Sequence, residues 1–297
     1  MKNEKNPGIL YVVSTPIGNL EDITLRALRT LKEVDLVAAE DTRRTRQLLT
    51  HYGIHKTLIS YHEHNERMRE DLLLNKLREG KKVALVTDAG TPGISDPGEP
   101  LVRRAVQEGI TLIPIPGPSA AVAALSISGL PTESFLFYGF LPSKSSARRK
   151  FFESLKKQAD TLIFYESPRR LCAFLKEAME VLGDRQGMVA REITKVYEEF
   201  LRGTISEILG KINGAEVKGE ITVILSGNTE REIIDSQAIQ TALQHYTVEV
   251  GLPWKEAVDR VAEDLGAAKR EVYQEALKIK NVNKEGVKQS FPAPRGR

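Results

Sequence analysis

The chain has 297 residues, 41% of them hydrophobic, enough for about two domains of roughly 150 residues that each bury a core. Its 43 Lys and Arg against 40 Asp and Glu leave a net charge of +3, which excludes a histone-like polycation and an acidic disordered chain and makes any basic function local. The single cysteine, Cys172, excludes an intramolecular disulfide framework and a thiolate zinc cluster, so a reducing, cytoplasmic setting is expected.

The start, MKNEKNPG, is polar where a signal peptide needs an apolar stretch, and no run of about 18 apolar residues follows, so neither secretion nor a membrane span is expected. The run GILYVVST, Gly8 to Thr15, predicts a strand, and Ile23, Leu25, Leu28 and Leu31 follow at helical spacing. The alternation then repeats: DLVAAED and a helix through Leu48 and Leu49; TLISYH and NERMREDLLLNKLREG; KKVALVTDAG and EPLVRRAVQEG; ITLIPIPG and PSAAVAALSISG. Such alternation predicts a mostly parallel sheet with helical crossovers. After Leu130 and Pro131 the strands FLFYGF, TLIFYES, GMVAREIT, EEFLRG and EITVILSG come closer together, which predicts a mixed sheet in a second α/β domain. From Thr229 onward three short helices fit, around Ser236 to Tyr246, Pro253 to Leu265 and Ala268 to Lys278. The residues from Asn281, with Lys284, Lys288, Arg295 and Arg297 against Glu285, read as a flexible basic tail. The expected organisation is an N-terminal α/β domain over 1–120, a second over 121–228 and a helical appendage over 229–297.

The segment Thr87 to Pro100, TDAGTPGISDPGEP, joins a strand to a helix and is far longer than an ordinary connection of about 2–6 residues. It falls at the carboxyl end of its strand, where open α/β sheets bind ligands, and its glycines allow backbone to approach a ligand closely. Ser14 to Leu20 and Pro114 to Ala120 occupy equivalent positions, so the three loops imply one shared pocket. No G-x-x-x-x-G-K-[ST] and no G-x-G-x-x-G occurs, which disfavours a P-loop and a dinucleotide-binding site. His51, His55, His62 and His64 cluster in sequence without a convergent ligand spacing, so no metal is expected, and Tyr61, His62, His64 and Asn65 are expected along a loop edge. Ser126 lies in an Ala-rich helix and Cys172 among apolar neighbours, which assigns both to packing. Basic residues recur at Arg43, Arg44 and Arg46, from Lys144 through Arg148, Arg149 and Lys150 to Lys156 and Lys157, and at Arg169 and Arg170. Arginine forks match phosphate geometry, while a solvated helix face is the alternative for the lysines. Glu40, Asp41, Asp88, Glu166 and Glu192 stand at strand ends, where carboxylates serve as bases, caps or ion-pair partners.

Taken in order, STPIGNLEDIT, AAEDTR, TDAGTPGISDPG, PGPSA, FYESPRR and AREITK resemble the ribosomal RNA small subunit methyltransferase I family, part of the tetrapyrrole-methylase-like superfamily. The resemblance implies two α/β domains holding S-adenosylmethionine in the cleft between them, a homodimer, and methyl transfer to the ribose 2′-oxygen of a cytidine in small-subunit (16S) ribosomal RNA or the 30S subunit. Carried onto this chain, the donor pocket involves Pro16; Asp88, Ala89, Gly90, Thr91 and Ile94; Ser119 and Ala120; and Tyr165, Ala190 and Thr222. The loops STPIG and DAGTPG depart from the G-x-G-P-G and G-G-D-P patterns of the tetrapyrrole enzymes, which leaves individual donor contacts open.

An activated methyl needs in-line geometry and a hydroxyl relieved of its proton, and no metal. The candidates for proton acceptor are Glu166, Glu192, Lys195 and Asp41, with lysine requiring a lowered pKa, and Arg43, Arg169, Arg170 and Arg191 are candidates for RNA phosphates. Two other functions compete: a tetrapyrrole C-methyltransferase on the same scaffold and a non-catalytic RNA-binding assembly factor. In the C-terminal segment Ala257, Val258, Val261 and Leu265 face one way and Val272, Ala276 and Leu277 can pack on them, the spacing of a helix-turn-helix or of a small dimerisation cap.

Overall fold

The structure is a computed structural model and describes residues 8–212, 217–228, 235–267 and 269–288. Its contacts divide the chain into two units, Met1–Asn228 and Thr229–Arg297.

The first unit begins with five parallel strands, β1 (Ile9–Val13), β2 (Leu36–Ala39), β3 (Thr57–Ser60), β4 (Lys82–Val86) and β5 (Thr111–Ile115), in the order β3-β2-β4-β1-β5. Side chains alternate between its faces, so Val37, Ala84 and Val86 pack with Ala27 and Leu31, while Leu36, Val83 and Leu85 pack with Leu73, Leu74, Leu77 and Leu101. Both faces are therefore covered, by α1 (Leu25–Glu33) and α2 (Thr42–His51) on one side and α3 (Glu66–Arg78) and α4 (Glu99–Gln107) on the other. The connection leaving β1 runs to the β2 side, whereas that leaving its neighbour β4 runs to β5. That reversal opens a crevice at their carboxyl ends.

The second sheet contains β6 (Phe135–Phe140), β7 (Thr161–Glu166), β8 (Gln186–Arg191), β9 (Glu199–Thr204) and β10 (Ile221–Leu225), ordered β6-β7-β10-β8-β9. Only β6 and β7 run parallel; β10 is antiparallel to both of its neighbours and β8 to β9. A short connection between β8 and β9, and a single helix between β9 and β10, accompany the mixed sheet expected from their spacing. The helices α6 (Ser145–Ser154), α7 (Leu171–Leu182) and α8 (Ile205–Ile212) bury one face around Phe152, Phe164 and Phe174. Cys172 packs against this core. Helix α5 (Ala120–Ser126) covers the other face through Ala121, Ala124 and Leu125.

Arg148, expected within a basic surface run, is 3% exposed instead. Its guanidinium donates to Glu177 through Nε at 2.7 Å and Nη2 at 2.9 Å, and Nη1 reaches the carbonyls of Pro142 and Ser143. A buried arginine needs this complete set of acceptors.

The second unit comprises α9 (Ser236–Gln244), a π-helical turn at His245–Glu249, α10 (Trp254–Leu265) and α11 (Lys269–Lys288). Gly266, at φ 63°, ends α10 in the left-handed conformation. Ile239, Leu243, Ala257, Val261, Val272 and Ala276 form its core. Two expectations are corrected here. Leu277 is exposed and leaves the packing to Val272 and Ala276. Residues 281–288, read as a flexible tail, continue α11, because extending an existing helix costs only a few tenths of a kcal/mol per ordinary residue. Arg295 and Arg297 lie outside the described residues. No described helix is long and apolar enough to cross a membrane.

Candidate active site

A cavity of about 430 Å³ lies where the loops of the first sheet meet the second. Ile17 enters from the loop after β1, residues 89–91 and 94–96 from the loop after β4, and Ser119 and Ala120 from the start of α5. The second sheet contributes Phe140, residues 165–168 at the end of β7, and Gly219 to Thr222 at the start of β10. Thr15 and Gly90 exchange backbone hydrogen bonds of 2.9 and 3.1 Å, Ser14 Oγ lies 2.8 Å from Thr91 Oγ1, and Thr15 Oγ1 donates to the Thr87 carbonyl at 3.0 Å. These bonds hold the β1 and β4 loops together.

The β4 loop turns back on itself through positive φ at Gly90, Gly93, Ser95 and Gly98, conformations in which a Cβ is strained. A Cβ on Gly18 would lie 2.5 Å from Lys195 Cγ and 2.9 Å from the Ile193 carbonyl. Asn19 N also donates to Thr194 Oγ1 at 3.0 Å, so this glycine lets the β1 loop dock on the loop after β8.

The carboxylates around the cavity differ in what holds them. Glu166 is buried, and its Oε1 accepts from Ser167 N at 2.6 Å and from Arg170 Nε at 2.7 Å, whereas Oε2 is buried without a partner. Burial would raise the Glu192 pKa, but hydrogen bonds from Lys195 Nζ and Glu220 N, each 2.8 Å, hold it below the usual range. Asp41 caps α2 and is held far below the usual carboxylate range by Arg43. Asp88 accepts from Asp41 N at 3.0 Å and lies 3.4 Å from Arg44, yet burial raises it. Glu40, which accepts from Asp88 N at 3.2 Å, is likewise raised by burial. Asp96 is different: burial, together with the charges of Glu40, Asp88 and Glu220, pushes it up to about 7.

A second cavity of about 660 Å³ shares Ser95 and Asp96 with the first and is otherwise lined by Glu40, residues 62–64, Glu66 and residues 97–100. Among the described residues no group of His, Cys, Asp and Glu is arranged to hold a metal ion.

The family model for Tetrapyrrole (Corrin/Porphyrin) Methylases matches residues 9–209. A protein from Halalkalibacterium halodurans named ribosomal RNA small subunit methyltransferase I is 51% identical over 271 residues, covering 90% of this chain and 93% of that protein. The chain belongs to the ribosomal RNA small subunit methyltransferase I family. Its Bacillus subtilis member is 45% identical over 272 residues, covering 90% and 93%. A member from Thermotoga maritima is 51% identical over 220 residues, 74% of this chain but 99% of its own length. The fold is that of uroporphyrin-III C-methyltransferase from Thermus thermophilus (TM-score 0.52, 21% identity, covering 74% of this chain and 97% of that one) and of the methyltransferase CobJ (TM-score 0.57, 17%, covering 77% and 97%).

Of the residues that the family resemblance assigns to the donor pocket, Ala89, Gly90, Thr91, Ile94, Ser119, Ala120, Tyr165 and Thr222 share the first cavity's wall. Pro16 yields its place on the wall to Ile17, and Asp88 turns to Asp41 and Arg44. Ala190 pairs with Thr222 across β8 and β10 and is fully buried among Ile163, Met188 and Ile224. Of the four candidate bases only Glu166 lines the cavity. Lys195 requires correction as a neutral base: burial favours the neutral form, but Glu192 at 2.8 Å and Glu220 at 3.1 Å outweigh it and raise its pKa, so it stays protonated. Arg43 is paired with Asp41, Arg170 with Glu166 and Arg191 with Glu199, while Arg169 is exposed with no ion pair among the described residues. His62 and His64 line the second cavity. The wall residues missed by sequence reasoning are Ile17, Ser95, Asp96, Phe140, Ser167, Pro168 and residues 219–221. Most adjoin residues that the motifs did single out, and Asp96 stands inside the Thr87 to Pro100 loop.

Proposed function

We propose that the protein methylates the 2′-oxygen of a cytidine ribose in small-subunit ribosomal RNA, with S-adenosylmethionine as methyl donor. The observation that carries this reading is the cavity at the strand-order reversal, built from the loops by which the chain resembles its family. Its volume falls in the range of about 300–1,000 Å³ typical of small-molecule sites. Ile17, Ala89, Ile94, Ala120 and Ile221 offer apolar walls, and Thr91, Ser119 and Thr222 offer hydroxyls. The lone Glu166 Oε2 requires a donor, which a ribose hydroxyl or an amine of the ligand supplies. The residues therefore fit the donor.

When bound, S-adenosylmethionine supplies a methyl group already activated by its sulfonium. The chain's own contribution is position: Gly90, with its nearest neighbour 3.8 Å from a built Cβ, leaves backbone open to the ligand, and α5 begins at the wall with Ser119 as its cap. Arg169 is free to meet a phosphate. The solved neighbours, at 17 and 21% identity, share the fold and carry no substrate assignment.

Nucleoside mass spectrometry of small-subunit RNA from cells with and without the gene tests the reading. Loss of one 2′-O-methylcytidine, restored by purified protein and donor, is the expected result; unchanged nucleosides overturn it. Sedimentation of the purified chain tests the homodimer that the family resemblance implies.

A further inference from the structure

We infer that the solvent face of α1 and α2 is a docking surface for the phosphate backbone of the ribosomal RNA substrate, with Arg26, Arg29, Lys32 and Arg46 as its contacts. This rests on the function proposed above.

The two helices cover the same side of the first sheet. Ala27 and Leu31 of α1 and Leu49 of α2 turn inward to a shared core, which leaves Arg26, Arg29 and Lys32 on α1 and Arg43, Arg44 and Arg46 on α2 exposed. Together α1 and α2 carry six cations against one carboxylate, Glu33. In a chain whose net charge is only +3, that excess is a local feature of this face.

The opposite side of the sheet is built differently. Helices α3 and α4 also carry six cations, but set them against Glu66, Glu70, Asp71 and Glu99 and against Glu79 and Glu108 at their ends. Four of those cations are paired: Lys76 with Glu79, Arg78 with Glu108, Arg103 with Glu99, and Arg104 with Glu70 and Asp71. On the α1 and α2 side only Arg43 and Arg44, at the start of α2, have partners, in Asp41 and Asp88. Arg26, Arg29, Lys32 and Arg46 form no hydrogen bond and no ion pair among the described residues, although Glu33 follows Arg29 by four positions. Carboxylates three or four residues away would stabilise such helices. A face left without them repels itself and gains most on meeting a polyanion.

Position ties this face to the site. The β1 loop, which puts Ile17 in the wall of the donor cavity, leads into α1, and α2 begins at Asp41, whose N–H donates to Asp88 at the head of the β4 loop. Both helices therefore start beside the cavity and run away from it. Arg26 and Arg29 are three residues apart, as are Arg43 and Arg46, which places their Cβ atoms about 5–6 Å from each other and makes a row of charge along each helix. A row of forked guanidinium groups suits a backbone that repeats its phosphates. Glu21 and Asp22, before α1, and Glu33, at its end, are the carboxylates that bound the row.

The test uses the full chain, 30S subunits from cells lacking the gene, and protein-free small-subunit RNA from the same cells, with affinity measured between about 0.05 and 0.3 M KCl. Arg26→Gln/Arg29→Gln/Arg46→Gln removes three cations and keeps good helix formers. At about 0.7–0.9 per lost phosphate contact, it is expected to make the slope of log affinity against log salt shallower by about 2–3 and to weaken binding about 30–300-fold at about 0.1 M salt, on both substrates. Its kcat/KM for 30S methylation is expected to fall with affinity while kcat stays within about threefold of wild type, with unchanged calorimetric donor affinity and a folded chain by melting. Lys150→Gln/Lys156→Gln/Lys176→Gln takes the same charge from exposed positions on and after α6 and on α7, and is expected to keep the slope within about 0.5 of wild type. An arginine variant with the slope and affinity of wild type overturns the assignment, as does a lysine variant that loses as much, since net charge would then account for both. A loss seen on 30S subunits and absent on protein-free RNA places the face against a ribosomal protein and also overturns it. A wild type that binds both substrates but labels no 2′-oxygen overturns the proposed function, and the slopes then decide the surface on their own.

Discussion

The Asp96 carboxyl makes a stability prediction that is independent of any substrate. Asp96 moves from an ordinary 3.8 to about 7 in the fold, about three pH units at about 1.4 kcal/mol each. Partial access to solvent through the cavity leaves about 2–4 kcal/mol of that. The sign follows from proton counting. The folded chain binds the Asp96 proton more tightly than the unfolded chain, so stability falls as pH rises from about 4 to about 7, and the loss is complete above the folded pKa. Below about pH 4 both states are neutral and the contribution vanishes. Asp96→Asn removes the titration and is expected to lie within about 1 kcal/mol of wild type near pH 4.5 and to exceed it by about 2–4 kcal/mol at pH 8. Urea unfolding at half-unit steps from pH 4.5 to 8, for both chains, reads the difference from the midpoint and slope. Subtracting the two curves leaves the Asp96 contribution together with whatever Glu40 and Asp88, also raised by burial, regain once its charge is gone. Curves that stay parallel within about 0.5 kcal/mol over the whole range would refute the reasoning.

Three further outcomes follow from the packing. Glu177→Gln strands the buried Arg148 guanidinium and is expected to cost about 3–5 kcal/mol in urea, whereas Arg148→Met with Glu177→Leu is expected to lie within about 2 kcal/mol of wild type; a double variant as damaged as the single one contradicts this. Gly18→Ala drives a Cβ against Lys195 and the Ile193 carbonyl, so a destabilisation of about 1–3 kcal/mol and weaker donor binding are expected by thermal melting and calorimetry, and an unchanged pair of values rules the docking role out. A chain ended after Asn228 is expected to unfold in one cooperative transition and to keep its donor affinity, given that a 220-residue match covers 99% of the Thermotoga maritima relative; failure to fold would show that the helical unit is required.

The strands of the first sheet were legible because burial on both faces writes them as near-continuous apolar runs closed by glycine and proline. The cavity loops were legible for a related reason. A connection as long as Thr87 to Pro100 needs an explanation beyond turning the chain, and the positive φ values at Gly90, Gly93 and Gly98 supply the local part of it. What could not be read was pairing between elements. Arg148 sits in a run of basic residues that reads as surface, and only the fold brings Glu177 of α7 against it from 29 positions away. Lys195 reads as a base awaiting a lowered pKa, and only the fold brings Glu220 within 3.1 Å of it beside Glu192. Asp96 is the converse case. Burial raises it first, and the charges that add to this, Glu40, Asp88 and Glu220, come from three separate stretches of chain, while Arg43, Arg44 and Arg170 are taken up by Asp41, Asp88 and Glu166. Local sequence records the residue types that could pair, and the fold decides which of them are left without a partner. A carboxyl with a raised pKa is distinguished by that absence, so it becomes visible only when every neighbouring charge has been assigned.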